Sequence, residues 1–139
     1  ARITSIYEGT TQLQVVAATR YATTGFYLNT MKEYAAQEVK AELKPMHDAL
    51  DRMVAEYEET IAYVMSKESP EFIELHARRM VEMAGYTIMA YLLMLDANRS
   101  DLFSQSAKVF LKFARTQNAQ RAIFIKETDT ADIDTFKTK

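Results

Sequence analysis

The sequence predicts an all-α fold, an antiparallel (up-and-down) bundle of about four to five helices. The 139 residues include only three glycines and two prolines, far fewer than a turn-rich β protein needs. Apolar side chains recur at three- and four-residue steps through most of the chain, which is the period of an amphipathic helix. The predicted connections are short, and short connections make neighbouring helices antiparallel.

Two shorter helices are predicted in the first third of the chain. The first extends over residues 10–23, because Gly25 follows as a residue that readily ends a helix. The second extends over residues 30–43, because the residue before Pro45 avoids the helical region.

Three longer helices are predicted after Pro45. The first covers residues 46–67 and places proline in its first turn. The second covers residues 70–98, with Ser69 as a cap. Ser100 or Asp101 caps the last helix, which ends near residue 126. Its predicted core stripe consists of Leu102, Phe103, Ala107, Phe110, Phe113, Ala114 and Gln117.

Gly85 lies in the middle of the 70–98 helix, where glycine costs about 1 kcal/mol relative to alanine. A close helix crossing would explain its presence. Residues 127–139 are rich in Thr, Asp and Lys, and we expect a frayed or disordered tail there.

Composition excludes several classes of function. The net charge is −2, with both signs interspersed, so the chain has no basic face for nucleic acid. Without cysteine there is no disulfide or thiolate chemistry. No apolar run is long enough to suggest a membrane span, and the extension after residue 24 lacks a basic amphipathic face, so we expect no membrane binding.

The two histidines, His47 and His76, give no metal motif. Neither follows a glutamate by three residues, as in di-iron bundles, and a zinc site would need ligands that the chain lacks. We expect both rings at the surface or half buried. The acidic cluster Glu56, Glu58 and Glu59 fits a solvated helix face better than an acid site.

The start of the chain is the segment that packing alone explains least. Glu8 and Gly9 precede Thr10, Thr11 and Gln12, and an apolar helical pattern follows at once. Glycine permits a sharp turn or close approach to a ligand, and a threonine can cap the helix. Free N–H groups at such a helix start favour anions. The residues alone also fit an ordinary helix N-terminus with an acid beside it.

The stretch Ile6-Tyr7-Glu8-Gly9-Thr10-Thr11-Gln12-Leu13-Gln14, with Arg2-Ile3-Thr4 before it, resembles the signature near the C-terminus of FAD-dependent acyl-CoA dehydrogenases. The resemblance implies that Glu8 is the catalytic base, that Gly9 contacts the acyl thioester, and that Thr10, Thr11 and Gln12 contact FAD. In this family the base removes the α proton while a hydride passes from the β carbon to the flavin.

More than a hundred residues follow this motif, which places the chain in the subgroup with an extra C-terminal helical domain. The resemblance implies three parts: the end of the dehydrogenase domain at residues 1–24, a helical bundle at 25–126, and the tail at 127–139. The first residue is alanine, so we expect the chain to belong to a longer protein. The large flavin-binding part would then lie outside it, and we expect this chain alone to be inactive and to bind little FAD.

The resemblance implies an acyl-CoA substrate and an electron-accepting flavoprotein as partners of the full-length protein. The bundle would have a structural or oligomerising role, and we expect self-association, for example by exchange of the N-terminal segment. The expected location is the bacterial cytoplasm, or the mitochondrial matrix in a eukaryote. Two alternatives remain: a related acyl-CoA oxidase, and a non-catalytic helical interaction module.

Overall fold

The computed structural model describes Thr23 and residues 25–133, and this part of the chain is all-α. Four helices, α1 (Phe26–Ala35), α2 (Lys44–Ser66), α3 (Pro70–Arg99) and α4 (Ser104–Lys126), are joined by short connections. Single turns of 3₁₀ helix lie at Ala41–Leu43, Asp101–Phe103 and Thr130–Asp132. The predicted helical bundle is confirmed.

Side-chain contacts show how the three long helices run. Arg121 of α4 pairs with Glu82 of α3, and Asn118 bonds to Thr87, so residue numbers rise along α4 as they fall along α3. Lys126, the last residue of α4, pairs with Glu59 of α2, and Thr128 just beyond it accepts a bond from Tyr63, farther along α2. Residue numbers therefore rise together along α2 and α4, so these two helices are parallel. The long helices therefore run up, down and up.

Helix α3 is the centre of the bundle: like α2 it contacts the other three helices, and it contributes more buried residues than any other described helix. Its core side chains include Phe72, Met80, Met83, Tyr91 and Met94, all fully buried. An 18-residue window of α3 has a mean hydropathy of 1.2, which by length and composition is enough to cross a membrane, and 44% of that window is buried inside the bundle. Core helices of globular proteins meet the same test, so burial explains much of this hydropathy.

The start of α3 forms as the sequence predicts. The Ser69 side chain accepts a hydrogen bond from the backbone N–H of Phe72, and Pro70 occupies the first turn. Helix α2 likewise has its proline in the first turn, and α4 ends at Lys126. The Ser69 cap and the two prolines thus set the starts of α3 and α2 locally.

The prediction of one helix over residues 30–43 is wrong. Helix α1 begins at Phe26, directly after Gly25, and ends at Ala35. The side chain of Asn98 accepts a bond from the Lys40 N–H at 2.8 Å and donates to the Glu38 carbonyl at 3.1 Å. A side chain of α3 therefore satisfies backbone groups that a continuous helix would have paired internally.

The predicted core stripe of α4 is only partly right: Ala107 and Ala114 are buried and Phe110 packs against the core, but the other large side chains are exposed. Leu102 is 81% exposed, and Phe103 and Phe113 are 41% and 47% exposed. The buried positions are mostly small or polar, because α4 packs closely against both α2 and α3. They are Ala107, Ala114, Asn118, Ala122 and Ile125.

The first seven residues of the predicted tail, 127–133, are ordered and contact the bundle. The Tyr63 hydroxyl donates to the Thr128 carbonyl at 2.6 Å, and Lys67 pairs with Asp129 at 3.5 Å. Asp129 and Asp132 form a reciprocal cap around the last 3₁₀ turn, and Ile133 packs against the core. Residues 127–133 are thus folded onto α2, and residues 134–139 lie outside the described part of the chain.

Gly85 does not mark a close crossing within the described chain. It is exposed, and a Cβ placed on it would meet no atom within 4 Å. Gly25 also has open space around it, but its φ of +88° lies in the left-handed region that side chains disfavour. The two glycines therefore differ in backbone conformation and not in packing.

The same substitution at these two glycines should change stability in opposite directions. Gly85→Ala should raise the free energy of unfolding by about 0.5–1 kcal/mol, because alanine favours the helix. Gly25→Ala should lower it by about 1–2 kcal/mol, because alanine is strained at positive φ. Urea unfolding followed by circular dichroism in dilute protein measures both. A loss of stability in the Gly85 variant would contradict the open environment of this residue.

Candidate functional site

The residues predicted to carry the chemistry lie outside the described part of the chain. Glu8, Gly9, Thr10, Thr11 and Gln12 are among residues 1–22, as is most of the first predicted helix. Their assigned roles therefore stay predictions. Within residues 25–133, three features could carry function: a groove, a histidine–aspartate cluster and a buried histidine.

The groove lies between the first half of α3 and the last half of α4 and has a volume of about 730 Å³. Polar and charged side chains dominate its lining, with an aromatic ring at one end. The residues are Glu74, Leu75, Ala77, Arg78, Arg79, Glu82, Gln117, Gln120, Arg121 and Phe124.

Arg121 is held in the groove from three sides. One guanidinium nitrogen donates to the Glu82 carboxylate at 2.5 Å. The other donates to the carbonyl and the side-chain oxygen of Gln117, at 3.0 and 2.9 Å. The Tyr86 ring lies 5.2 Å below the guanidinium carbon. Since its donors are largely occupied, Arg121 acts as a structural link between α3 and α4.

Arg79 is similarly held, and Arg78 is not. The Arg79 guanidinium lies 4.2 Å from the centre of the Phe124 ring, in cation–π geometry, and donates to the Leu75 carbonyl. Arg78 is exposed and has no ion pair among the described residues. Among the described residues, the groove thus leaves one cation free for an acidic partner and brings together no nucleophile and base of the kind that catalysis needs.

The histidine–aspartate cluster lies at the start of α2. His47, Asp48 and Asp51 have ligand atoms within 4.8 Å of one another. The His47 Nε2 is 2.7 Å from the Ala35 carbonyl, and Nδ1 is 3.4 Å from Asp51. Both carboxylates are exposed, and one helix supplies all three groups. The cluster therefore joins α2 to the end of α1, and the prediction that His47 is half buried is confirmed.

The prediction for His76 is wrong, because its ring is fully buried in the core. It lies 4.7 Å from the Phe72 ring and 6.0 Å from the Phe124 ring, and neither nitrogen has a hydrogen-bond partner within the described residues. The sequence carried a signal that was missed: His76 follows Phe72 by four residues and precedes Met80 by four, on the buried stripe.

Burial keeps the His76 ring neutral. Burial, which deprives the charged imidazolium of its hydration, and secondly the nearby Arg79 charge together lower the pKa of His76 from 6.5 to about 4. An aromatic-lined site with a neutral ring and no partner serves packing. No catalytic role follows from it.

Comparison with known proteins identifies relatives of the bundle. The family model described as "Acyl-CoA dehydrogenase C terminal" matches residues 23–133. A crystal structure of an acyl-CoA dehydrogenase family protein from Porphyromonas gingivalis is similar with a TM-score of 0.78 and 39% sequence identity. The match covers 81% of this chain and 97% of that chain, so the other chain contains little besides the bundle. No curated protein matches the sequence.

The pH dependence of stability should carry the signature of His76. Above pH 6.5 the ring is neutral in both states and the stability is complete. As pH falls from 6.5 to 4, the unfolded state takes up the proton first, so stability should fall by about 1.4 kcal/mol per pH unit and by about 3 kcal/mol in total.

His76→Leu should remove this loss, and His47→Gln should retain it, since the chain has only these two histidines. Urea unfolding at a series of pH values tests this. Equal slopes for wild type and His76→Leu would show that His76 is not held neutral.

Proposed function

The chain belongs to the acyl-CoA dehydrogenase family through its C-terminal helical domain, and we propose that it is the end of an FAD-dependent acyl-CoA dehydrogenase. The observation that carries the proposal is the agreement of two separate segments. The motif resemblance rests on residues 2–14, and the family match covers residues 23–133. Because the segments do not overlap, a chance resemblance at the N-terminus is a poor explanation.

In the full-length protein, the proposed reaction oxidises an acyl-CoA between Cα and Cβ to the trans-2-enoyl-CoA. Glu8 removes the α proton, which is only weakly acidic, and exclusion of water would raise the pKa of its carboxyl group toward that task. Gly9 would contact the thioester, and Thr10, Thr11 and Gln12 would hold the flavin. Bound FAD supplies the hydride acceptor. These five assignments rest on the motif alone.

The bundle has a structural role in this proposal. Within residues 25–133 the buried polar groups serve helix packing: Asn118 donates to Thr87 and to the Met83 carbonyl, and Arg121 is paired with Glu82. The relative from P. gingivalis consists almost entirely of the same bundle, which indicates that such a domain folds as a unit. A stable bundle appended to an enzyme is suited to packing and assembly.

The substrate partner is therefore an acyl-CoA, and an electron-accepting flavoprotein reoxidises the flavin. A related acyl-CoA oxidase would share this architecture and would pass the electrons to oxygen instead. Family membership argues against the independent interaction module. The proposed location is the bacterial cytoplasm, or the mitochondrial matrix in a eukaryote.

The visible spectrum of the full-length protein tests the proposal. A bound flavin should bleach when the matching acyl-CoA is added from a panel of chain lengths. Glu8→Gln should abolish the bleaching and keep the flavin, because only the base is lost. Glu58→Gln, at an exposed position of α2, serves as the matched control and should bleach like the wild type.

Each other outcome has a definite meaning. Bleaching that survives Glu8→Gln would place the base elsewhere in the protein. A folded protein that stays colourless when offered FAD would contradict the flavoenzyme proposal. Reoxidation by air as fast as by an electron-accepting flavoprotein would favour the oxidase.

A further inference from the structure

The outward face of α3 carries an apolar stripe that the described chain covers only at Val81, which is half buried. Val81, Gly85, Met89 and Leu92 recur at steps of three or four residues, so they lie in one row along the helix. Met89 is 50% exposed and Leu92 is 44% exposed. Apolar side chains in a continuous row on an exposed helix face are typical of a helix–helix interface.

Gly85 lies in the middle of this stripe. Its lack of a side chain costs helix stability, and no atom of the described chain uses the space that it leaves. A glycine on an exposed helix face allows another helix to approach closely. The position of Gly85 therefore fits a contact from outside the bundle.

Charged residues continue the row on both sides of the apolar centre. Toward the N-terminus come Arg78 and then Glu74, and toward the C-terminus come Asp96 and then Arg99. Arg78 and Glu74 have no ion pair among the described residues, and Asp96 is paired with Arg99. Outward from the apolar centre, the N-terminal side has a positive and then a negative charge. The C-terminal side has a negative and then a positive charge.

This order is complementary to itself when the helix is reversed. We propose that the stripe is the interface on which a second copy of this chain packs, with the two α3 helices antiparallel about a two-fold axis level with Thr87. Gly85 then faces Met89 of the second copy, whose side chain fills the space above the glycine. Val81 faces Leu92 of the second copy.

The charges pair in the same arrangement. Arg78 faces Asp96 of the second copy, and Glu74 faces Arg99. Two-fold symmetry repeats each contact, which gives four ion pairs flanking a double Gly–Met contact. A parallel arrangement of the two α3 helices would not form these ion pairs, because each charged side chain would then face the same residue of the second copy.

The neighbouring surface enlarges the interface. Tyr86 of α3 is stacked edge-to-face on Phe113 of α4, with ring centres 5.7 Å apart. Phe113 is 47% exposed and Val109 on the same side of α4 is 60% exposed. The row from Glu74 to Arg99 is about 38 Å long at 1.5 Å per residue, which suits an interface of ordinary size.

Charge also distinguishes this partner from a membrane surface. The stripe includes Glu74 and Asp96, which an anionic lipid surface would repel, whereas a second copy offers arginines at both places. This inference rests on the proposed assembly role of the bundle and deepens it. The flavin spectrum of the full-length protein is a separate measurement, so a failure of this interface would leave the enzyme assignment intact.

Sedimentation of the 139-residue chain is the first test, and a dimer is expected at micromolar concentrations. Arg78→Glu should raise the dissociation constant about tenfold or more, because it places two like-charge contacts in the dimer. Arg78→Glu combined with Asp96→Arg should restore it to within about threefold of wild type. Arg52→Glu is the control and should leave it unchanged, because Arg52 is exposed on α2 and has no ion pair within the described part of the chain.

Engineered cysteines then fix the register, since the chain has none of its own. Mixing Val81→Cys with Leu92→Cys should give an oxidised heterodimer. Neither variant alone should cross-link, because identical positions are offset by about 16 Å along the antiparallel helices. This pattern also separates the proposed interface from an exchange of N-terminal segments.

Circular dichroism melting confirms that each variant is folded. A chain that is monomeric at 100 μM would overturn the proposal. So would a dimer that is insensitive to Arg78→Glu, or one in which Val81→Cys cross-links with itself. Binding of a monomeric chain to vesicles of anionic phospholipid would overturn it in favour of a membrane surface.

Discussion

The close packing of α4 against α2 and α3 is the constraint on which the rest of the bundle depends. Ala107, Ala114 and Ala122 supply small side chains along the contact, so the helices can approach each other closely. At the centre of this contact the fully buried Asn118 donates to the Met83 carbonyl and to Thr87. A buried amide with partners on one neighbouring helix fixes both the register and the rotation of α4.

The rotation of α4 about its own axis determines which of its side chains reach the surface. With alanines in the core, the large rings of α4 move to its edges, where Phe110 and Phe113 cluster with Tyr86 of α3. At the other end of the same edge, Arg121 and Phe124 face α3 and line the groove. The packing of the α4 alanines against α2 and α3 therefore accounts for both the apolar and the polar part of the α3–α4 surface.

In the proposed protein, the N-terminal motif and the helical bundle have different roles. The proposed catalytic, substrate-binding and flavin-binding residues are five consecutive positions of the motif, Glu8 to Gln12. The bundle instead distributes its polar groups to hold helices together: Asn98 satisfies the backbone between α1 and α2, and Tyr63 anchors the segment after α4. Among the described residues, the outward stripe on α3 is one part of the surface that internal packing leaves unexplained.

The sequence by itself determined the helical class, the boundaries of the three long helices and, through a short motif, the family. These features depend on local chemistry: apolar periodicity, and Ser69 before Pro70. The candidate residues Glu8 to Gln12 also came from the sequence, and they remain predictions because they lie outside the described residues.

Tertiary structure decided the features that depend on a neighbour. Helix α1 ends at Ala35 because Asn98, far along the chain, bonds to the backbone beyond it. His76 is buried because Phe72 and Phe124 enclose it. The buried positions of α4 are mostly alanine because α2 and α3 both pack closely against this helix. A periodic pattern marks which residues could face a core, but the distance of the opposing helix decides which of them do.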